Sequence, residues 1–276
     1  MTILNPYQQE IKAFYDARTS YDNDFTHRRA IPLVELAQLQ PGQQILDVAT
    51  GTGIIAICAS QQLLAIAAAE KVGNKGKVIG VDFSPGMLNQ ARQKISAAGL
   101  QNIELIEADA ETISFEVASF DAIFCATAIV LLKDIPTALR NWYNYLKPGG
   151  IVAFSCWSET SFFTPVIMKV CAKYGFDLPN LHELLGSPER CHDLLQEIGF
   201  QNIAIKTEQF GKYLSLDDAK KYWKGTWLCA NGHPLLQLST EQIEQLQAEF
   251  HAEIEKLVTD KGVWHETTTF FVTGRK

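Results

Sequence analysis

The chain has 276 residues, 47% of them hydrophobic, with 24 Lys and Arg against 31 Asp and Glu, for a formal charge of −7. That length suffices to bury about 75% of the unfolded chain's surface, and predicts one domain carrying insertions. The acidic balance argues against a nucleic-acid partner, because Lys220, Lys221 and Lys224 form too short a basic group and read as a solvated helix face.

Residues 5–40 predict amphipathic helix, with apolar positions at Ile11, Phe14 and Tyr15 and again at Ile31, Leu33, Val34, Leu36 and Ala37, ending at the turn Pro41-Gly42. Strands and helices then alternate. Strands are expected at 45–49, 77–82, 102–107, 120–125 and 151–156, and helices from Ile54 through Ala69, at 85–98 and at 135–146. Gly99 is placed to cap the second of these helices, and Lys147-Pro148-Gly149-Gly150 to stop the third. The strands are apolar throughout, which predicts a parallel sheet covered on both faces. After Trp157 the rhythm changes: 158–200 reads as mostly helical, 203–209 as a strand, 215–262 as helical and 267–273 as a last strand. The expected organisation is a single domain. It has a helical cap over 1–40, a ligand-binding core over 41–157, helical lid insertions over 158–200 and 211–262, and final strands within 201–210 and 263–276.

The six cysteines, Cys58, Cys125, Cys156, Cys171, Cys191 and Cys229, contain no C-x-x-C spacing. No metal site is expected, and they read as reduced thiols of a cytoplasmic protein. Met1 to Gln9 lacks the basic start and apolar run of a secretory signal. The most apolar stretch, Ile54 to Val72, is interrupted by Gln61-Gln62 and Glu70-Lys71, so a core helix is expected there and no membrane span.

The most informative stretch is Ile45-Leu46-Asp47-Val48-Ala49-Thr50-Gly51-Thr52-Gly53. A strand that breaks into glycine and re-forms as a helix presents backbone N–H groups to a ligand. Asp47 disfavours a phosphate there and favours a ligand with a positive group. Asp82 ends the second strand and Asp109 follows the third, so three acids lie at successive carboxyl ends, where open parallel sheets bind ligands. Asp82 is placed to accept from ribose hydroxyls, Asp109 from an exocyclic amine of adenine, and Asp47 from an ammonium group. The segment Gly51-Thr52-Gly53-Ile54-Ile55-Ala56 also fits the dinucleotide pattern G-x-G-x-x-[GA]. On that alternative a pyrophosphate sits close to Asp47, and about 40 residues precede a strand that normally opens such a fold.

The run Ile45–Gly53 resembles the first motif of the class I S-adenosylmethionine-dependent methyltransferases. Four further matches follow in order: Val78 to Leu88 (VIGVDFSPGML), Glu107 to Glu111 (EADAE), Ser119 to Ile123 (SFDAI) and Leu146 to Gly150 (LKPGG). The resemblance spans roughly 10–156 and is nearest the UbiE-like small-molecule branch. It implies a Rossmann-like α/β fold with a seven-stranded sheet, mostly parallel with the last strand antiparallel. S-adenosylmethionine is the implied cofactor and S-adenosylhomocysteine its product. The implied cofactor contacts are Gly51 and Gly53 at the methionine end and Asp82 at the ribose. Phe83 and Met87 flank the adenine, Asp109 and the Ala110 N–H read its edge, and a carbonyl at Cys125-Ala126 holds the ammonium. Ala49, with Thr50, departs from the usual glycine-rich approach to the loop, and Tyr21 is expected to close over the methionine carboxylate. The 125–130 segment is apolar and offers no base.

A small, largely apolar or aromatic acceptor is expected, methylated on oxygen. Its walls are sought in Tyr15, Tyr21, His27, Thr127, Trp157, Phe162, Phe163, Tyr222, Trp223, Trp227 and His233. His27, His182 and His233 are the candidate bases, with His233 first because Asn231-Gly232-His233-Pro234 reads as a lid turn. A nitrogen or carbon acceptor, a peptide or carrier-bound product, a cofactor-binding regulator and a nicotinamide-dependent oxidoreductase are the competing readings. No nucleic-acid partner is expected, and the sequence leaves the oligomeric state undetermined.

Overall fold

A computed structural model of the chain describes residues 6–57, 68–224, 235 and 238–276. Two helices come first, α1 (Pro6–Asp16) and α2 (Asp24–Ala37), in place of one continuous cap. The break between them is set by Asn23, whose side chain accepts from the Thr26 N–H while the Thr26 hydroxyl accepts from the Asn23 N–H, a reciprocal cap that starts α2. Strand β1 (Gln44–Val48) is followed by helical segments α3 (Ile54–Ile57) and α4 (Ala68–Val72). The middle of the helix expected between them lies outside the described residues.

The alternation continues with β2 (Lys77–Asp82), α5 (Pro85–Ala98), β3 (Ile103–Glu107), β4 (Phe120–Ala126), α6 (Ile135–Tyr145) and β5 (Leu146–Trp157). Ser84 caps α5 by accepting from the Met87 N–H, Pro85 opens it and Gly99 closes it in the left-handed conformation. β5 begins five residues earlier than expected. Phe120 faces Leu146 while Ala122 faces Ile151, so Lys147 to Gly150 form an irregularity within the strand. The terminal Lys276 closes that irregularity by exchanging backbone hydrogen bonds with Gly149 and Gly150, both at 2.9 Å.

Then follow α7 (Thr164–Lys173), α8 (Pro188–Ile198), β6 (Gln201–Gln209), β7 (Lys212–Leu214), α9 (Leu216–Lys220), α10 (Thr240–Glu255), β8 (Val258–Thr259), β9 (Gly262–His265) and β10 (Thr268–Arg275). The main sheet has the order β3-β2-β1-β4-β5-β10-β6. Its ladders are parallel from β3 to β5, and β10 runs antiparallel to both β5 and β6. This is the Rossmann-like arrangement expected, with the last strand antiparallel.

The expectation of helix throughout 215–262 is corrected at its end. β7, β9 and β8 form a second, antiparallel sheet. Gly262 makes that pairing close, because it sits at φ 105 and an added Cβ would lie 2.4 Å from the Leu214 carbonyl oxygen.

The sheet separates two apolar layers. Leu46, Val48, Ile123, Phe154 and Trp142 pack on one face, and Ile45, Phe124, Leu33, Val34 and Phe271 on the other. A third cluster, built from Phe163, Ile167, Trp223, Leu246 and Phe250, is the core of the lid. Trp223, sought as an acceptor wall, belongs here. It is 2% exposed with its ring 5.5 Å from that of Phe250, and it lines neither cavity described below. Among the described residues no helix is long and apolar enough to cross a membrane, and no cluster of His, Cys, Asp or Glu is placed to hold a metal. Cys125, Cys156, Cys171 and Cys191 are free thiols, all buried.

Candidate active site

Two adjoining cavities open at the carboxyl ends of β1, β2, β3 and β4. The smaller, about 70 Å³, is lined by Tyr21, Ala49, Gly51, Asp82, Phe83, Met87, Asp109, Ala110 and Ala126 among others. Nine of the twelve residues assigned to a cofactor from the sequence therefore share one wall. The larger, about 410 Å³, is lined by Tyr15, Arg18, Tyr21, Phe25, Arg29, Thr127, Trp157, Phe162, His182, Tyr222 and His265 among others. Ile11, Tyr15, Tyr21, Thr127 and Leu131 border both.

Asp82 is fixed by its strand and by the loop it faces. Its Oδ2 accepts from the Gly51 N–H at 2.8 Å and its Oδ1 from the Ser84 N–H at 2.8 Å. A further donor, the Phe83 N–H, also favours the carboxylate, which keeps acceptor capacity for a ligand hydroxyl. Burial pushes the Asp82 carboxyl up to about 6, against the backbone donors of Ser84, Gly51 and Phe83, which favour the anion. Asp109 lies beyond β3, where its Oδ1 accepts from the Glu111 N–H at 3.0 Å and its Oδ2 from Gln8 Nε2 of α1 at 2.9 Å.

Three of the expected cofactor residues lie behind this wall. The Asp47 side chain is 1% exposed and accepts from the Thr50 hydroxyl at 2.5 Å. Burial first, and the nearby Asp82 charge as well, push it up to about 7. It shapes the turn after β1 and does not reach the cavity. At Cys125, where the expected contact is a backbone carbonyl, the thiol is fully buried and burial raises its pKa well beyond the ordinary thiol range, so the side chain takes no part. Gly53 is packed under the loop at φ 77, where a Cβ would meet Ile57 Cδ1 at 2.6 Å. Backbone strain collects at the same edge: Ala49 (φ 53) and Thr127 (φ 58), just past the ends of β1 and β4, both sit in the left-handed region without being glycine.

Helix α1 covers the smaller cavity and is pinned to the start of α5. Asp16 accepts from the Ser84 hydroxyl at 2.6 Å and from the Gly86 N–H at 3.0 Å. Gln90 Nε2 donates to the Arg18 carbonyl at 2.9 Å. Tyr21, between the cavities, has its phenol pKa raised by burial, opposed by a hydrogen bond with Thr127.

In the larger cavity Trp157 and Phe162 meet edge to face at 5.3 Å, and Phe162 stands 6.3 Å from Phe25. Phe162 is itself held at φ 60. His27 is a correction: its Nε2 is hydrogen-bonded with the Asp22 carboxyl, and it lines neither cavity. His233 and Trp227 lie outside the described residues. Among the described residues the histidines that line the cavity are His182 and His265, and burial pushes both down to about 4, so both are neutral imidazoles near pH 7.

Sequence reasoning missed Gln8, Arg18, Arg29 and His265 as cavity residues. For Arg29 a signal existed. It falls at i−4 from Leu33 and i−8 from Ala37, on the buried stripe of α2, and is 1% exposed. Its guanidinium lies 3.7 Å from the Phe25 ring centroid and 4.5 Å from that of Phe210. Burial lowers its pKa to about 10, which leaves it charged at neutral pH.

The parallel sheet, the glycine loop and the acids at three strand ends define a nucleotide-type small-molecule site on a Rossmann-like fold. Residues 45–150 match the family model described as a methyltransferase domain. The chain is 33% identical over 151 residues to the aklanonic acid methyltransferase DauC of Streptomyces, an alignment covering 54% of this chain and 64% of that one. It is 30% identical over 177 residues to a demethylmenaquinone methyltransferase of Listeria monocytogenes, covering 58% of this chain and 74% of that one. In fold it is similar to phosphoethanolamine N-methyltransferase 2 of Haemonchus contortus, solved with phosphomonomethylethanolamine and S-adenosylhomocysteine. The TM-score there is 0.55 at 16% identity, with 98% of this chain and 57% of that chain covered. The chain belongs to the class I S-adenosylmethionine-dependent methyltransferases, in their UbiE-like small-molecule branch. The nicotinamide alternative is thereby set aside.

Proposed function

We propose that the smaller cavity holds S-adenosylmethionine and that the larger one holds a small, largely apolar or aromatic acceptor, methylated on oxygen. The observation that carries this reading is the shared wall of Tyr15, Tyr21 and Thr127, which borders both spaces. The donor set suits the cofactor. Asp82 offers its remaining acceptor capacity to a ribose hydroxyl, Asp109 and the Ala110 N–H offer an acceptor and a donor for an adenine edge, and Phe83 and Met87 offer apolar surface. Ala49, Gly51 and the Ala126 carbonyl lie toward the methionine end. The lining acids Asp82, Asp109 and Glu111 also suit a ligand of positive charge.

Bound there, the cofactor supplies an electrophilic methyl group. What the chain adds is alignment and the exclusion of water, and good alignment supplies up to roughly 7–11 kcal/mol of a barrier in favourable cases. Trp157, Phe162 and Tyr15 orient the acceptor, and α1 with Tyr21 closes the site. His182 and His265 are weak bases when their pKa values are pushed down to about 4, far from the value an efficient general base needs near pH 7. An acidic oxygen, a carboxyl or an acidified phenol or enol, needs no such base, and this favours it over an alcohol, whose hydroxyl needs one.

The test is transfer of a labelled methyl group to a panel of aromatic carboxylic acids, acidic phenols and aromatic amines. Turnover of acids or phenols, with Trp157→Ala raising the acceptor KM while S-adenosylhomocysteine binding stays within about twofold, is the expected result. Turnover of amines alone would overturn the oxygen assignment.

A further inference from the structure

The larger cavity has an unbalanced chemistry. Its charged lining residues are Arg18 and Arg29, with no Asp or Glu among them. Seven buried side-chain polar atoms among the described residues have no hydrogen-bond partner, and four of them belong to residues lining this one space: Arg29 Nε, Trp157 Nε1, His182 Nδ1 and His265 Nε2. Two of the four, Arg29 Nε and Trp157 Nε1, are obligate donors. Unsatisfied buried polar groups are rare in native proteins and each calls for a cause.

Arg29 is the sharpest case. It is 1% exposed. Its Nη1 donates to the Phe25 carbonyl at 2.7 Å, and no carboxylate pairs with it among the described residues. The stretches outside those residues, 1–5, 58–67, 225–234 and 236–237, contain no Asp or Glu at all. The Phe25 and Phe210 rings lie against the guanidinium but leave its Nε without a hydrogen bond. Buried charges are retained where they are paired; the Asp24 charge acts on Arg29 only from a distance, and no carboxylate of the described residues lies within ion-pair reach of it. The planar guanidinium fork matches a carboxylate.

We propose that Arg29 is a specificity-determining residue that binds a carboxylate carried by the acceptor, whose aromatic or apolar body lies against Trp157 and Phe162. The two cavities then divide charge between them, acids facing the cationic methyl donor and arginines facing an anionic acceptor. This inference rests on the larger cavity being the acceptor site.

The test uses the full chain saturated with S-adenosylhomocysteine, titrated calorimetrically with two matched probe pairs, benzoate against benzamide and 2-naphthoate against 2-naphthamide. A charge-assisted pair predicts that the carboxylate of at least one pair binds about tenfold to a hundredfold tighter than its amide. Arg29→Gln should bring the two members within about twofold, with amide and S-adenosylhomocysteine binding unchanged. Arg29→Lys should keep part of the preference, and Arg18→Gln most of it. The wild-type comparison needs no variant, so it stands if Arg29→Gln fails to fold, and the Arg18→Gln and Arg29→Lys results then assign the preference. Equal binding of acids and amides, or loss of the preference in Arg18→Gln but not in the Arg29 variants, would overturn the inference while leaving the methyltransferase site intact. Failure of S-adenosylhomocysteine to bind would instead remove the reading beneath it, and the inference with it.

Discussion

Gln8 Nε2 donates to Asp109 Oδ2 at 2.9 Å, joining the N-terminal helix to the acid that follows β3 across 101 residues of chain. The contact ties the covering helix to the group proposed to read the adenine edge. A ligand that uses Asp109 Oδ2 must therefore compete with Gln8 or displace it. The covering helix is also held from its other end, through Asp16 on Ser84 and Gly86.

Gln8→Ala is expected to bind S-adenosylhomocysteine with a faster association rate and an affinity equal to or a few-fold tighter than wild type, because no contact has to be broken. Stopped-flow mixing with tryptophan detection measures it. Asp109→Asn, which removes the acceptor itself, should weaken binding by roughly 1–2 kcal/mol.

Asp82 carries the ribose proposal. Its carboxyl is pushed up to about 6 by burial, and the ionised form is the better acceptor. Affinity for S-adenosylhomocysteine should therefore rise between pH 5 and pH 7 and level off above. Asp82→Asn should lose at least about 1.4 kcal/mol, a tenfold change, and should flatten that part of the pH profile. Isothermal titrations at half-unit pH steps compare the two proteins.

The sequence made the core legible because the chemistry there is local. Strand β1, its turn and the acids ending β2 and following β3 are read directly from alternation, glycine and charge, the family resemblance adds residues such as Phe83, Met87 and Ala126, and nine of the resulting twelve share one cavity wall. Asp47 went astray because the same spacing fits a loop brace, and only burial distinguishes a carboxyl held by Thr50 from one facing a ligand. The acceptor side was poorly legible. Its lining comes from α1, α2, the ends of β4, β5 and β9 and the segment holding His182, brought together by tertiary packing with no sequence spacing in common. Trp223 shows the cost of reading aromatics singly, since lid core and substrate wall use the same residue types.

Trp223→Ala should destabilise the fold by about 3–5 kcal/mol, the usual range for emptying a buried aromatic site. Phe162→Ala, in the cavity wall, should cost less stability and act mainly on acceptor KM. Urea denaturation followed by circular dichroism separates the two effects.

Asp47 also makes a prediction about pH and stability. Its ordinary value is 3.8 and folding raises it to about 7. Between those values the native state binds more protons than the unfolded chain, so the carboxyl's stabilising share is complete below about pH 4 and is lost as pH rises through about 7. The buried histidines His182 and His265, lowered to about 4 from 6.5, act in the opposite sense, losing their share as pH falls from about 6.5 toward 4. Comparison with Asp47→Asn isolates the carboxyl. The variant should gain stability relative to wild type as pH rises from 4 to 7, by at most about 1.4 kcal/mol per pH unit. Parallel urea midpoints at pH 4.5, 5.5, 6.5 and 7.5 measure the difference.

The central claim is that the cavity bounded by Gly51, Asp82 and Asp109 is a site for S-adenosylmethionine. Calorimetric titration of the full chain with S-adenosylhomocysteine and, separately, with NAD tests it most directly. One site for S-adenosylhomocysteine, abolished or weakened at least tenfold in Asp82→Ala, with no heat from NAD, is the predicted result. Binding of NAD in preference, or S-adenosylhomocysteine binding that is indifferent to Asp82, would contradict it.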